Sequence, residues 1–176
     1  MNRRFFLKGL FFFSSIFILK LKASRKNNIS FDYGVASGDP TNTNIILWTK
    51  VTPTLNKDIT IKWQLSADKN FKNILNSGLV SAKYSNDFTV KADVSVPSAF
   101  RGNKVFYRFL LNDTFSDTGV TKTLPQNNPD QYNIAFCSCS NHPAGYFNAY
   151  QEMAKNEDID LVLHLGDYIY EYDKDG

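Results

Sequence analysis

Five short runs rich in β-branched and aromatic residues, at 31–35, 45–50, 59–65, 88–96 and 105–111, follow one another with turn-forming residues between them. Within 60–65 (TIKWQL) and 89–94 (TVKADV) apolar and polar side chains alternate. Successive side chains of a strand point to opposite faces, so Ile61, Trp63 and Leu65 are expected together on one buried face. Strands this short at this spacing predict an antiparallel β-sandwich over residues 31–124, of the immunoglobulin/fibronectin-like kind. Gly38-Asp39-Pro40, Thr52-Pro53, Asn76-Ser77-Gly78 and Arg101-Gly102-Asn103 are its expected turns. Both tryptophans, Trp48 and Trp63, lie inside the runs and are expected to serve one core. No internal repeat or low-complexity tract interrupts the pattern.

The grammar changes after a polar linker at 125–130 (PQNNPD). Residues 132–136 (YNIAF) and 159–165 (IDLVLHL) read as strands, and 144–155 has helical spacing. Phe147, Tyr150, Met153 and Ala154 fall on one side of that helix, where core packing is expected. Strand, helix and strand make a β-α-β unit with a parallel pair and a right-handed crossover. One helix cannot cover both faces of two parallel strands, so residues 131–176 are expected to begin a larger α/β domain that is truncated here.

Of the 176 residues, 43% are apolar and 21% charged, a balance that suits a globular chain and not a disordered one. The formal net charge of +3 comes from the first 24 residues, where Arg3, Arg4, Lys8, Lys20 and Lys22 stand without an acid. The remainder has no basic stripe, which excludes a nucleic-acid-binding surface. The same 24 residues carry an apolar run at 9–19, too short for the ~20 residues a membrane span needs, so they read as an export signal and not as a mature transmembrane helix. The arginine pair before Phe5-Phe6-Leu7-Lys8 resembles a twin-arginine signal, read by the machinery that exports folded proteins to the periplasm or beyond. Asn2 replaces the more usual Ser or Thr. Ala23 could end a cleaved leader, but Leu21 is large for the position two before it, so an uncleaved anchor stays open.

In open α/β sheets, ligands gather at the carboxyl ends of strands. The first strand here ends in Cys137-Ser138-Cys139-Ser140-Asn141-His142 and the second in His164-Leu165-Gly166-Asp167-Tyr168-Ile169-Tyr170-Glu171-Tyr172. A carboxylate straight after a glycine at a strand end is poorly explained by folding unless it is a solvated turn residue. A two-metal hydrolase, in which one carboxylate bridges cations ~3.5–4 Å apart, would use it as Asp167. The two cysteines are two residues apart, about 6.6–6.8 Å on a strand and at the edge of disulfide range. One reading makes Cys137 a core residue and Cys139 a thiolate ligand; the other makes both small buried hydrophobes. Tyr168, Tyr170 and Tyr172 are either phenolate donors suited to ferric iron or the wall of a cleft. His164 reads as a hydrogen-bonded core histidine, and His142 as a loop residue able to contact an anionic substrate.

These segments resemble the alkaline phosphatase D (PhoD-like) family, and the likeness runs over nearly the whole chain as that family's amino-terminal portion. It is carried by Phe31-x-x-Gly34-Val35-Ala36-Ser37-Gly38-Asp39-Pro40, Ile46-Leu47-Trp48-Thr49-Lys50, Ser138-Cys139, Gly145-Tyr146-Phe147-Asn148-Ala149-Tyr150 and the stretch from Leu163 to Tyr172. The resemblance implies an exported phosphomonoesterase/phosphodiesterase with an immunoglobulin-like domain before a calcineurin-like metallophosphoesterase domain. It implies Fe3+ and Ca2+ as cofactors, with Cys139 and Tyr170 on iron and Asp167 bridging iron and calcium. Cys137 inherits no role, and Ser140 stands where relatives often have Gln or Asn. The family's other ligands lie beyond Gly176, so the chain is expected to be a fragment, inactive alone, since calcium takes ~6–8 oxygen ligands. A purple acid phosphatase would place an Asp where Cys139 stands. The non-enzymatic alternative is an exported β-sandwich binding module left from a truncated enzyme.

Overall fold

Alternation in sequence becomes alternation in burial. In the computed structural model, which describes residues 29–168 and Tyr170, the strands run in chain order β1 (Ile29–Ser30), β2 (Val35–Gly38), β3 (Asn44–Lys50), β4 (Thr52–Pro53), β5 (Ile59–Ser66), β6 (Ile74–Ala82), β7 (Thr89–Ser95), β8 (Val105–Leu111), β9 (Thr114–Phe115) and β10 (Gly119–Thr121). Strands β2, β3 and β7 form one antiparallel sheet. Strands β10, β8, β5 and β6 form a second, with β9 on β8, and β1 pairs with β4. Leu47, Val90 and Val94 from the first sheet meet Ile61, Leu65, Val105 and Phe109 from the second in one core. Side chains of this size contribute about 1.5–3 kcal/mol each when fully buried. The inward placement of Ile61, Trp63 and Leu65 is as the alternation required.

Four local expectations fail for physical reasons. The run at 31–35 is not a strand: Gly34 adopts φ 69°, and the chain turns there between β1 and β2. Trp48 does not share the core with Trp63. Leu47 and Thr49 take the inward positions of β3, so Trp48 lies half-buried on the other face, opposite Lys91. Asn76-Ser77-Gly78 is the middle of β6 and not a turn. Gly78 pairs with Trp63, whose indole lies across it so closely that a Cβ at Gly78 would meet Cζ2 at 2.6 Å. The glycine is there to admit a ring, not to bend the chain. Thr52-Pro53 likewise forms β4, whereas Arg101-Gly102-Asn103 is a turn with Gly102 at φ 76°.

Beyond the sandwich come β11 (Ile134–Cys137), α1 (His142–Gly145), α2 (Asn148–Lys155) and β12 (Leu161–His164). Strands β11 and β12 are parallel, with Ile134 opposite Leu161 and Cys137 opposite His164. The single helix expected at 144–155 is two, broken at Tyr146, whose φ is 61°. The apolar side of α2 does not make a core: none of its residues is buried, and Phe147 is exposed. Phe136 and Val162 of the sheet, and Leu165 just past β12, are exposed as well, so the described residues leave much of this sheet uncovered. Asp160 ties the segment to the sandwich. It forms an ion pair with Lys122 and accepts the Asn133 N–H at 2.7 Å, and these two bonds hold its carboxyl below the usual range. Lys104 Nζ adds a bond to the Glu157 carbonyl at 2.9 Å, beside a cleft of about 660 Å³ between the sandwich and β12. Among the described residues no helix is long and apolar enough to cross a membrane. The expected leader, residues 1–24, lies outside the described residues, as does Tyr172.

Candidate metal centre

The parallel ladder persists past the strand ends and keeps two loops in step. Leu165 N–H donates to the Cys137 carbonyl at 2.8 Å, and Cys139 N–H donates to the Gly166 carbonyl at 3.3 Å. Between these bonds the backbone of both loops enters the left-handed region: Cys139 at φ 56°, Gly166 at 118° and Asp167 at 51°. Glycine takes such angles freely, aspartate tolerates them, and a cysteine rarely does. Strain of this kind, of order 1–3 kcal/mol per residue, clusters at functional sites.

The two turns bring side chains from different strands together. Cys139 Sγ donates to Asp167 Oδ2 at 3.2 Å. The Tyr170 hydroxyl hydrogen-bonds Cys139 and also Asp167; the bond to Cys139, more than the partial burial or the nearby carboxylate, pushes the phenol above its ordinary range. One thiol, one carboxylate and one phenol thus share a point, all three anionic when deprotonated. Among the described residues no Lys or Arg forms an ion pair with Asp167, and no three His, Cys, Asp or Glu side chains gather; the third donor of this cluster is a tyrosine. Three such groups fit a cation of high charge, because their combined negative charge then has a partner. The Asn141 side-chain oxygen, in the loop after Cys139, is buried without a hydrogen-bond partner among the described residues, a further acceptor left over beside this loop.

The other candidates separate from this cluster. Both cysteines are free thiols, with Cys137 half-buried and its Sγ 4.0 Å from the Leu163 carbonyl, and Cys139 exposed. Neither is therefore a fully buried hydrophobe. Tyr168 is exposed and stacks edge-on against His164 at 4.9 Å, apart from the three donors. His142 packs against the Tyr146 and Phe147 rings. His164 is hydrogen-bonded, as its sequence setting suggested, but its partner is Tyr150 Oη at 3.0 Å. The partnership of Tyr150 and His164 is not legible from spacing, since they lie fourteen positions apart on different elements; nor is the orphaned Asn141 oxygen, which shows no sequence signal.

A β-sandwich is thus followed by a parallel β-α-β unit, with a thiol, a carboxylate and a phenol gathered where its strands end, the edge at which open α/β sheets bind their ligands. Comparison with known proteins makes the class definite. Residues 18–125 match the model of the PhoD-like phosphatase N-terminal domain, and residues 134–176 match that of the PhoD-like phosphatase itself. The chain belongs to the PhoD-like phosphatase family. It is 43% identical over 154 residues to alkaline phosphatase D of Bacillus subtilis (strain 168), an alignment covering 81% of this chain and 25% of that protein. It also superposes on a solved structure described as the structure of PhoD, with a TM-score of 0.76, 38% identity, and coverage of 81% of this chain and 28% of the other. The chain therefore spans about a quarter of the length of the relatives it matches.

Proposed function

We propose that these residues supply the amino-terminal sandwich and the first metal ligands of an exported phosphomonoesterase/phosphodiesterase of the alkaline phosphatase D type. The observation that carries the reading is the meeting of Cys139, Asp167 and Tyr170, with Sγ and Oδ2 3.2 Å apart. In this reading the sandwich is immunoglobulin-like, and residues 131–176 begin a calcineurin-like metallophosphoesterase domain. Cys139 and Tyr170 would hold Fe3+, and Asp167, with two carboxylate oxygens, would reach both Fe3+ and Ca2+. When bound, the cations would supply Lewis-acid charge, activating a water and neutralising the phosphoryl oxygens of the ester. The chain's own part is to orient. The two left-handed turns aim a thiolate and a carboxylate from neighbouring strand ends at one point, and the Cys139–Gly166 backbone bond keeps those turns in register. Three protein donors leave most of a calcium shell unfilled, so turnover requires ligands beyond these residues.

The test is spectroscopic as well as kinetic. A full-length form carrying these residues should show the broad visible absorption of thiolate- and phenolate-to-iron charge transfer and should hydrolyse an activated phosphate ester. Cys139→Ser should lose the thiolate part of the band, whereas Cys137→Ser should keep it and cost only packing. The reverse pattern would move the thiolate to Cys137 and overturn the assignment.

Export rests on Arg3-Arg4 ahead of the short apolar run at 9–19. The double change Arg3→Lys, Arg4→Lys should hold the protein in the cytoplasm with its fold intact. Cell fractionation checks this, and unchanged export in a strain without the folded-protein translocase would reduce the leader to an ordinary secretory signal.

A further inference from the structure

His164 ends β12 with both ring nitrogens engaged. Gly166 N–H donates to Nδ1 at 3.3 Å, and Nε2 lies 3.0 Å from Tyr150 Oη on α2. A ring nitrogen that accepts from an amide carries no proton, so the neutral ring carries its proton on Nε2 and donates it to Tyr150. The opposite end of the Gly166 residue is held too, because its carbonyl accepts the Cys139 N–H. Gly166 is therefore pinned on one side by His164 and on the other by the cysteine loop, at the point where φ reaches 118° and the next residue, Asp167, turns left-handed.

We propose that His164, oriented by Tyr150, is a positioning residue for the metal centre: it fixes the Gly166 amide and so sets the turn that presents Asp167 to Cys139 and Tyr170. Packing alone does not ask for histidine at this half-buried position, since a leucine would fill the space. What leucine lacks is the acceptor that Gly166 uses. Groups that orient a ligand from behind are commonly worth 10–100-fold in metal affinity, and a bond to the peptide that swings the carboxylate acts through the same lever. This inference rests on the metal reading above, and its test separates the two.

The experiment uses the 176-residue chain, isotope-labelled and metal-free, followed by titration with cobalt(II) as the probe. Ring nitrogen shifts should show the proton of His164 on Nε2. In His164→Leu the Gly166 amide should exchange about tenfold faster, the cost of one lost hydrogen bond. Cobalt affinity, read from thiolate-to-metal charge transfer, should fall about 10–100-fold in the same variant. His164→Asn, whose Oδ1 stands near the place of Nδ1, should recover both, and Tyr150→Phe should shift both in the direction of leucine. A proton found on Nδ1, equal Gly166 exchange in wild type and His164→Leu, or no recovery with asparagine overturns the proposal. Should His164→Leu fail to fold, unchanged Gly166 exchange in Tyr150→Phe overturns it just as well. If Cys139→Ser binds cobalt as tightly as wild type in calorimetric titration, the metal reading falls, while the ring and amide measurements still decide whether His164 positions the turn.

Discussion

Asp167→Asn should abolish metal binding and phosphate ester hydrolysis together in a full-length enzyme carrying these residues. The carboxylate is the one donor of the three with two oxygens able to serve two cations, and the amide that replaces it keeps the shape and loses the charge. Its loss should cost at least the ~10²–10³ in turnover that removal of a single preorganised charge-stabilising donor costs elsewhere. The fold should not suffer: Asp167 is exposed and has no ion pair among the described residues, so the sandwich melting transition should stay where it is. Metal content and hydrolysis rate, measured on the same sample, check the prediction. An Asn variant that retained its metals with turnover intact would remove Asp167 from the centre and leave Cys139 and Tyr170 as a hydrogen-bonded pair without that role.

The part of this site that could be read from sequence is the part set by strand ends. A parallel pair places both carboxyl ends on one edge, so Cys139 and Asp167 had to be neighbours once β11 and β12 paired in that sense, and Tyr170 follows three residues later. What spacing could not supply was conformation. The left-handed angles of Cys139 and Asp167 depend on the cross-loop bond between Cys139 and Gly166, a contact between residues far apart in sequence. The same limit explains the fold. Strands whose residues alternate, such as β5 and β8, are legible because burial follows parity. Strand β6 was hidden because Gly78 answers to a ring on its neighbour and not to its own stretch of chain. Strand β10 hides a similar pair: a Cβ at Gly119 would meet Tyr107 Cζ at 2.2 Å, so a residue that reads as a breaker is where a second aromatic ring crosses the backbone. Burial of Tyr107 in the sandwich pushes its phenol up to about 12. Trp48 is hard to place for a simpler reason: in a run as apolar as Ile45-Ile46-Leu47-Trp48, composition does not say which parity faces inward, and the structure buries Leu47 and Thr49 at 0% exposure.

Two phenylalanines measure how unequally the chain's stability is distributed. Phe109 lies at the centre of the sandwich core with 0% exposure, whereas Phe136 on β11 is 67% exposed. Phe109→Ala should destabilise by about 3–5 kcal/mol, the lost transfer energy of a large ring together with the cavity it leaves between the two sheets. Phe136→Ala should change stability by less than about 0.5 kcal/mol, because little of its surface leaves water when the chain folds. If the core is confined to the sandwich in this way, residues 29–125 alone should unfold cooperatively in denaturant with nearly the free energy of the whole chain, and the β11–α2–β12 segment should exchange its amides at lower denaturant than β3, β5, β7 and β8. Chemical denaturation of the two variants and of the sandwich alone makes the comparison. Equal losses for Phe109→Ala and Phe136→Ala would show that β11 packs against a surface that the described residues do not contain, and a gradual, non-cooperative melt of residues 29–125 would show that the sandwich depends on that same surface.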